Sequence, residues 1–69
     1  MEMIAVTSSN VEAIGYDENS QTLQIIYKNG ATYQYFDVHP QIFDDLRNAN
    51  SIGAYLASNI KGVYRYSRV

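Results

Sequence analysis

The sequence predicts an α+β fold: a small antiparallel sheet of four to five strands with two short helices packed on one face. Three observations predict it. Apolar residues alternate at period two through much of the first half, around the run Leu23 to Phe36 (LQIIYKNGATYQYF). The spacing turns helical after Pro40. A short alternating stretch returns after Gly62, so the order reads β-β-β-β-α-α-β. Sixty-nine residues make one domain, 1–69.

Ile4 and Val6 suggest a first short strand, ended by Ser8-Ser9-Asn10. A second runs from about Val11 to Tyr16, where Gly15 marks a bulge or a close backbone approach. Asp17-Glu18-Asn19-Ser20 is a polar turn. The hairpin follows, and its turn decides which side chains share a face. A two-residue primed turn at Asn29-Gly30 would pair Ile25 with Gln34 and Leu23 with Phe36, leaving the tyrosines on the other face and both faces mixed. A type I turn over Lys28-Asn29 with Gly30 left-handed sets Ile25 beside Tyr33 and Leu23 beside Tyr35. The second register collects the apolar set on one face, and a one-residue slip would scatter it. The bulged turn is therefore preferred, with positive φ at Gly30.

Pro40 suits the first position of a helix, with Asp37 or His39 as its cap. Ile42, Phe43 and Leu46 fall at helical spacing and should face the sheet, with Ala49 closing the stripe. Ser51 is a good N-cap for a second helix, on which Ile52, Leu56 and Ile60 share a face. Gly53 costs about 1 kcal/mol against alanine there, so something should pack close to it. Gly62 is a natural left-handed stop. Val63 to Ser67 reads as a last strand, with Tyr64 and Tyr66 on one side.

A chain this short buries only about 60% of its unfolded surface. It has no cysteine for a disulfide, and one histidine cannot build a zinc site. No cofactor or metal is expected. Packing or oligomerisation must stabilise it instead, and seven tyrosines with two phenylalanines supply large area per residue. The lack of cysteine fits a cytoplasmic protein. No signal peptide and no membrane-spanning run are visible, so no membrane partner is expected.

The net charge of −2 argues against generic nucleic-acid binding, which needs a basic face. The charge is uneven, however. Residues 1–60 hold all seven acids against Lys28 and Arg47, for −5, whereas 61–69 hold Lys61, Arg65 and Arg68 with no acid, for +3. Two readings of this basic strip stay open. It is a charged edge strand that discourages edge-to-edge pairing, or it is an anion contact in which Tyr64 and Tyr66 interleave with cations as a base-stacking surface.

Other candidates carry similar alternatives. Tyr33 and Tyr35 either stack on a base or pack in the core. Ser8-Ser9 either donates to a phosphate or makes an ordinary turn. Ser51 opens a helix whose free N–H groups could hold an anion, with Gly53 leaving room for it, or it is a plain cap. Asp44 and Asp45 diverge by about 100° as helical neighbours, so they do not converge on one bond. His39 has no nucleophile or carboxylate at a recognisable spacing. No catalytic constellation is present.

Several pieces line up in order: Ser8-Ser9, Ile14-Gly15-Tyr16-Asp17, Leu23-x-Ile25-x-Tyr27 with Asn29-Gly30, and Tyr33-x-Tyr35. Val38 and Pro40, Ala49-x-Ser51-x-Gly53-x-Tyr55, Ile60 and Tyr64 follow. The set, over roughly residues 6–66, resembles the KTSC domain, a family named for the C-terminal end of some lysyl-tRNA synthetases and found also as small proteins of bacteria and phages. The chain departs from the pattern at His39, inserted before the proline, and at Leu56-Ala57, where phenylalanine-asparagine is usual. The resemblance implies a binding module without enzymatic activity, and RNA as a candidate ligand.

Two functional classes result. The first is a module for RNA or a small nucleotide, with phosphate at Ser51 and the strip Lys61, Arg65 and Arg68, and a base on Tyr64 or another exposed tyrosine. The second is a protein-interaction or homo-oligomerisation module using the apolar sheet surface. They merge in a phage-type oligomer that sequesters a small nucleotide signal between subunits.

Overall fold

A computed structural model describes residues 1–69. Five strands form one antiparallel sheet in sequence order: β1 (Met3–Ala5), β2 (Val11–Asp17), β3 (Thr22–Tyr27), β4 (Thr32–Tyr35) and β5 (Tyr66–Arg68). Two helices, α1 (Pro40–Arg47) and α2 (Ile52–Tyr55), lie between β4 and β5, and α2 continues as a π-helical segment, Leu56–Ile60.

The β3–β4 hairpin adopts the register that collects its apolar side chains. Leu23 pairs with Tyr35 and Ile25 with Tyr33. The Gly30 amide donates to the Tyr27 carbonyl at 2.9 Å, the Tyr27 amide to the Ala31 carbonyl at 2.8 Å, and Gly30 has φ +92°. Only glycine holds that backbone without strain. Gly15 shows the close approach expected of it: an added Cβ would stand 2.9 Å from the Glu2 carbonyl oxygen. The bulge lies elsewhere, at Glu12, where the pairing shifts between Val11–Tyr27 and Ala13–Ile26.

Pro40 opens α1, and His39 is its cap, its Nδ1 accepting from the Gln41 amide at 3.2 Å. Leu46 is buried, while Asp44, Asp45 and Arg47 are exposed. Tyr16 stacks on Phe43 at 5.2 Å and donates its hydroxyl to the Val38 carbonyl, which ties α1 to β2. Ser51 caps α2 by accepting from the Ala54 amide at 3.2 Å. The core is Val11, Ile14, Leu23 and Ile25 from the sheet against Leu46, Ile52, Leu56 and Ile60 from the helical layer.

Two sequence expectations are corrected here. The second helix is not α-helical throughout, because the Lys61 amide reaches five residues back to the Leu56 carbonyl at 2.8 Å. The last strand does not begin at Val63. The Val63 and Tyr64 amides both donate to the Ile60 carbonyl, so the chain is still turning there, with Gly62 at φ +78°. Tyr64 is therefore half-buried against the core, whereas Tyr66 is 63% exposed in β5. The two do not form one tyrosine face. No helix is long and apolar enough to cross a membrane.

Candidate functional site

Residues that pair across antiparallel strands point to one side of the sheet. Tyr33 pairs with Arg68 and Tyr35 with Tyr66, so these four share the helix-bearing side. Their rings form a continuous cluster. Tyr33 lies 5.6 Å from Tyr27 and 5.8 Å from Tyr66, and Tyr35 lies 5.9 Å from Tyr66. Tyr66 is exposed and Tyr33 half-buried, so these two bring the cluster to the surface, while Tyr27 and Tyr35 are buried beneath them.

Two adjoining cavities open along this cluster. The first, of about 480 Å³, lies between the β1–β2 loop (Ser9, Asn10) and the hairpin turn (Lys28, Asn29), with Tyr27, Ala31 and Tyr33 on the sheet and Lys61 opposite. The second, of about 380 Å³, is bounded by Tyr33, Tyr35 and Tyr66 with Lys61 and Gly62. Tyr33 and Lys61 belong to both, so the cavities form one groove. Both volumes fall in the range of small-ligand sites.

Local bonding holds the walls. The Lys28 amide donates to the Asn10 carbonyl at 2.9 Å, which docks the β1–β2 loop on the hairpin. Asn29 Oδ1 accepts from the Ala31 amide at 2.9 Å and shapes the turn. The widened last turn of the π-helical segment brings Lys61 over the Tyr27 ring, 5.3 Å from its centroid. Arg68 stands 6.0 Å from the Tyr33 centroid. These are cation–π contacts at exposed positions, worth about 0.5–1 kcal/mol each, so a ligand can displace them at little cost.

The groove is electropositive within an acidic protein. Neither cavity has an aspartate or glutamate in its lining. The single ion pair in the chain is Arg65 with Asp37, at 2.9 Å. Lys28, Lys61 and Arg68 thus have no carboxylate partner. Below them, the Tyr27 hydroxyl is buried without a hydrogen-bond partner. Burial pushes its pKa well above the usual phenol range, and the neighbouring Tyr35 phenol adds to the rise without completing a hydrogen bond of good geometry.

The residues singled out from sequence are only partly brought together. Ser9 and Lys61 line the first cavity, and Arg68 stands beside it over Tyr33. Ser8 closes the loop, its hydroxyl accepting from the Val11 amide at 3.3 Å. Ser51 is occupied as a cap, and the space over Gly53 is filled by Asn10, whose Oδ1 would lie 2.8 Å from an added Cβ. Arg65 lies on the other side of the sheet, over the Phe36 ring at 5.3 Å and paired with Asp37, with both side chains largely exposed. Tyr64 packs on the core outside the groove. Lys28, Asn29, Tyr27 and Tyr33 join the site from the hairpin. The hairpin register, already legible in the sequence, could have placed Tyr27 and Tyr33 together, but nothing in the sequence linked Lys28 with Lys61.

The arrangement offers cations and amides to a phosphate and aromatic faces to a base. No cluster of three histidine, cysteine or acidic side chains is placed to hold a metal ion.

Comparison with known proteins agrees with this architecture. The KTSC domain family matches residues 7–69. A small protein of Tsukamurella paurometabola is 43% identical over 63 residues, covering 91% of this chain and 94% of that protein. A lysine–tRNA ligase of Nostoc punctiforme is 34% identical over 61 residues, covering 88% of this chain and 11% of the ligase. The crystal structure of a KTSC domain protein from Yersinia pestis superposes with a TM-score of 0.93 at 30% identity, over 99% of this chain and 96% of that one. By its sequence match and its fold alike, the chain belongs to the KTSC domain family.

Proposed function

We propose that this chain is a non-enzymatic binding module for RNA or a nucleotide, taken in the tyrosine groove. The observation that carries the reading is the acid-free groove itself. An acidic chain places three of its five cations, Lys28, Lys61 and Arg68, around exposed aromatic surface and gives none of them a carboxylate. Unpaired cations beside aromatic rings match a ligand that carries anionic groups next to flat bases. The relatives support the RNA side of the reading, since the domain occurs within lysine–tRNA ligases, of whose length the chain spans 11%. The non-enzymatic side of the reading is supported by His39, which is engaged as a helix cap, and by Asp44 and Asp45, which are exposed on α1.

The chain has seven tyrosines and no tryptophan, so its intrinsic fluorescence reports on the tyrosines alone. Bound bases should quench it. Titration with single-stranded RNA and with nucleotides is expected to give saturable quenching that Tyr66→Ala abolishes. Unquenched emission with every base-bearing ligand would refute the reading.

A second reading has its own observation. β5 is an edge strand, and Val63, Tyr66 and Val69 around it are each more than 60% exposed. Edge strands with apolar side chains invite pairing with another chain. Self-association through β5 predicts a concentration-dependent mass in light scattering, and a constant monomer mass would dismiss it.

A further inference from the structure

Resting on the binding reading above, we propose that the groove is a divided site for a free nucleoside phosphate. The phosphate lies in the first cavity between Lys28 and Lys61, and the base lies in the second against Tyr66.

The two cavities differ in chemistry. Lys28 and Lys61, two of the chain's five cationic side chains, line the first together with the side-chain donors of Asn29, Ser9 and Asn10. The second has tyrosine rings and Gly62, and Lys61 is its only charged wall. A phosphate gains charge-assisted hydrogen bonds in the first and none beyond Lys61 in the second. A base gains a flat aromatic surface in the second, where Tyr66 is 63% exposed. The shared walls, Tyr33 and Lys61, put the two subsites side by side, as a phosphate and its own base are. Arg68, over Tyr33, adds a planar cation at the junction, able to pair with phosphate or stack on a base.

The charge distribution favours a short ligand over a strand. A single strand follows a basic track, and each phosphate neutralised adds to the salt dependence. Only Lys28, Lys61 and Arg68 are available at the groove. Arg65 is paired on the opposite side of the sheet, and Arg47 lies over Phe43 on α1. The other charges available to a passing strand are mostly the chain's seven acids. Three cations serve one to three phosphates.

The test is calorimetric titration of the intact chain with nucleosides, nucleoside mono- and diphosphates of all four bases, and an RNA of about twelve nucleotides. At least one nucleotide should bind at least about tenfold more tightly than its own nucleoside, as charge-assisted contacts to phosphate require. Its logarithmic salt slope should report three phosphates or fewer, at about −0.7 per phosphate. Lys28→Gln and Lys61→Gln should each weaken the nucleotide by about fivefold or more and leave the nucleoside unchanged. Both are surface substitutions, and Arg65→Gln on the opposite face serves as the unaffected control. Equal affinity for nucleoside and nucleotide, or indifference to both lysine substitutions, overturns the divided site and leaves base binding standing. RNA binding with a slope reporting more than three phosphates overturns the free-nucleotide assignment in favour of a strand. Failure of every base-bearing ligand to bind removes the underlying reading as well.

Discussion

Removing one oxygen from the core should make this protein more stable. The Tyr27 hydroxyl is buried and has no hydrogen-bond partner. Leaving such a group dry and unpaired costs about 1–3 kcal/mol relative to water. Tyr27→Phe deletes the hydroxyl and keeps the ring, so the edge-to-face contact with Tyr33 and the position under Lys61 persist. The phenylalanine face attracts the lysine slightly less, a loss that is a fraction of a contact worth about 0.5–1 kcal/mol. The net expectation is a gain of about 1 kcal/mol. For a chain of this size, that raises Tm by roughly 4–8 °C. Urea unfolding followed by far-ultraviolet circular dichroism should show a higher midpoint at unchanged slope. Tyr35→Phe is the matching control, since the Tyr35 phenol is the neighbour able to act as a partner. If Tyr27→Phe lowers stability by more than about 0.5 kcal/mol, the hydroxyl is bonded and the reasoning fails. Loss of stability in both variants would identify the pair as that bond.

Four further outcomes are expected. Gly30→Ala should cost about 1–2 kcal/mol in urea unfolding, because φ +92° is strained for any side chain, although nothing stands within 4 Å of the added carbon; a neutral result would mean the turn has another geometry. Gly15→Ala should release β1, since the new carbon would stand 2.9 Å from the Glu2 carbonyl oxygen, and hydrogen exchange should then show loss of protection at Met3–Ala5 while the β3–β4 amides keep theirs. Stability should fall at alkaline pH. Tyr27 has a raised pKa in the fold, so its contribution is intact below the unfolded value near 10 and drains away as pH climbs through 10 toward the folded one; Tyr27→Phe should flatten that decline, and an unchanged profile would contradict the burial. Arg68→Gln should weaken nucleotide binding by about threefold or more, as expected for one charged contact at an exposed site. Equal losses in Arg68→Gln and Arg65→Gln would show that the ligand does not distinguish the two faces of the sheet.

Much of the architecture was legible from local pattern. The hairpin register followed from the need to gather Leu23, Ile25, Tyr33 and Tyr35 on one face, and Gly30 is the residue that permits it. Pro40 and Ser51 marked helix starts because a missing N–H and a hydroxyl acceptor each solve a problem present at every helix N-terminus. The gap over Gly53 announced a close neighbour, though not that Asn10 would be it.

The rest depended on contacts between distant segments. Leu56 and Ile60 keep α-helical spacing in the sequence, yet the last turn widens so that the Lys61 amide reaches the Leu56 carbonyl. Spacing cannot register that change, because both apolar residues remain buried either way. The basic strip read as one feature from residue 61 to 68, but strand alternation splits it. Arg68 falls on the groove side, and Arg65 on the other. Lys28 and Lys61 stand thirty-three residues apart and line one cavity only because the hairpin turn and the end of the helical layer border the same space. Sequence alone therefore determined the elements and the hairpin that orders the core, since period and turn chemistry act within a few residues. Which cations share a groove, and which polar group stays buried without a partner, were decided by the packing of the helical layer on the sheet, where side chains distant along the chain compete for the same space.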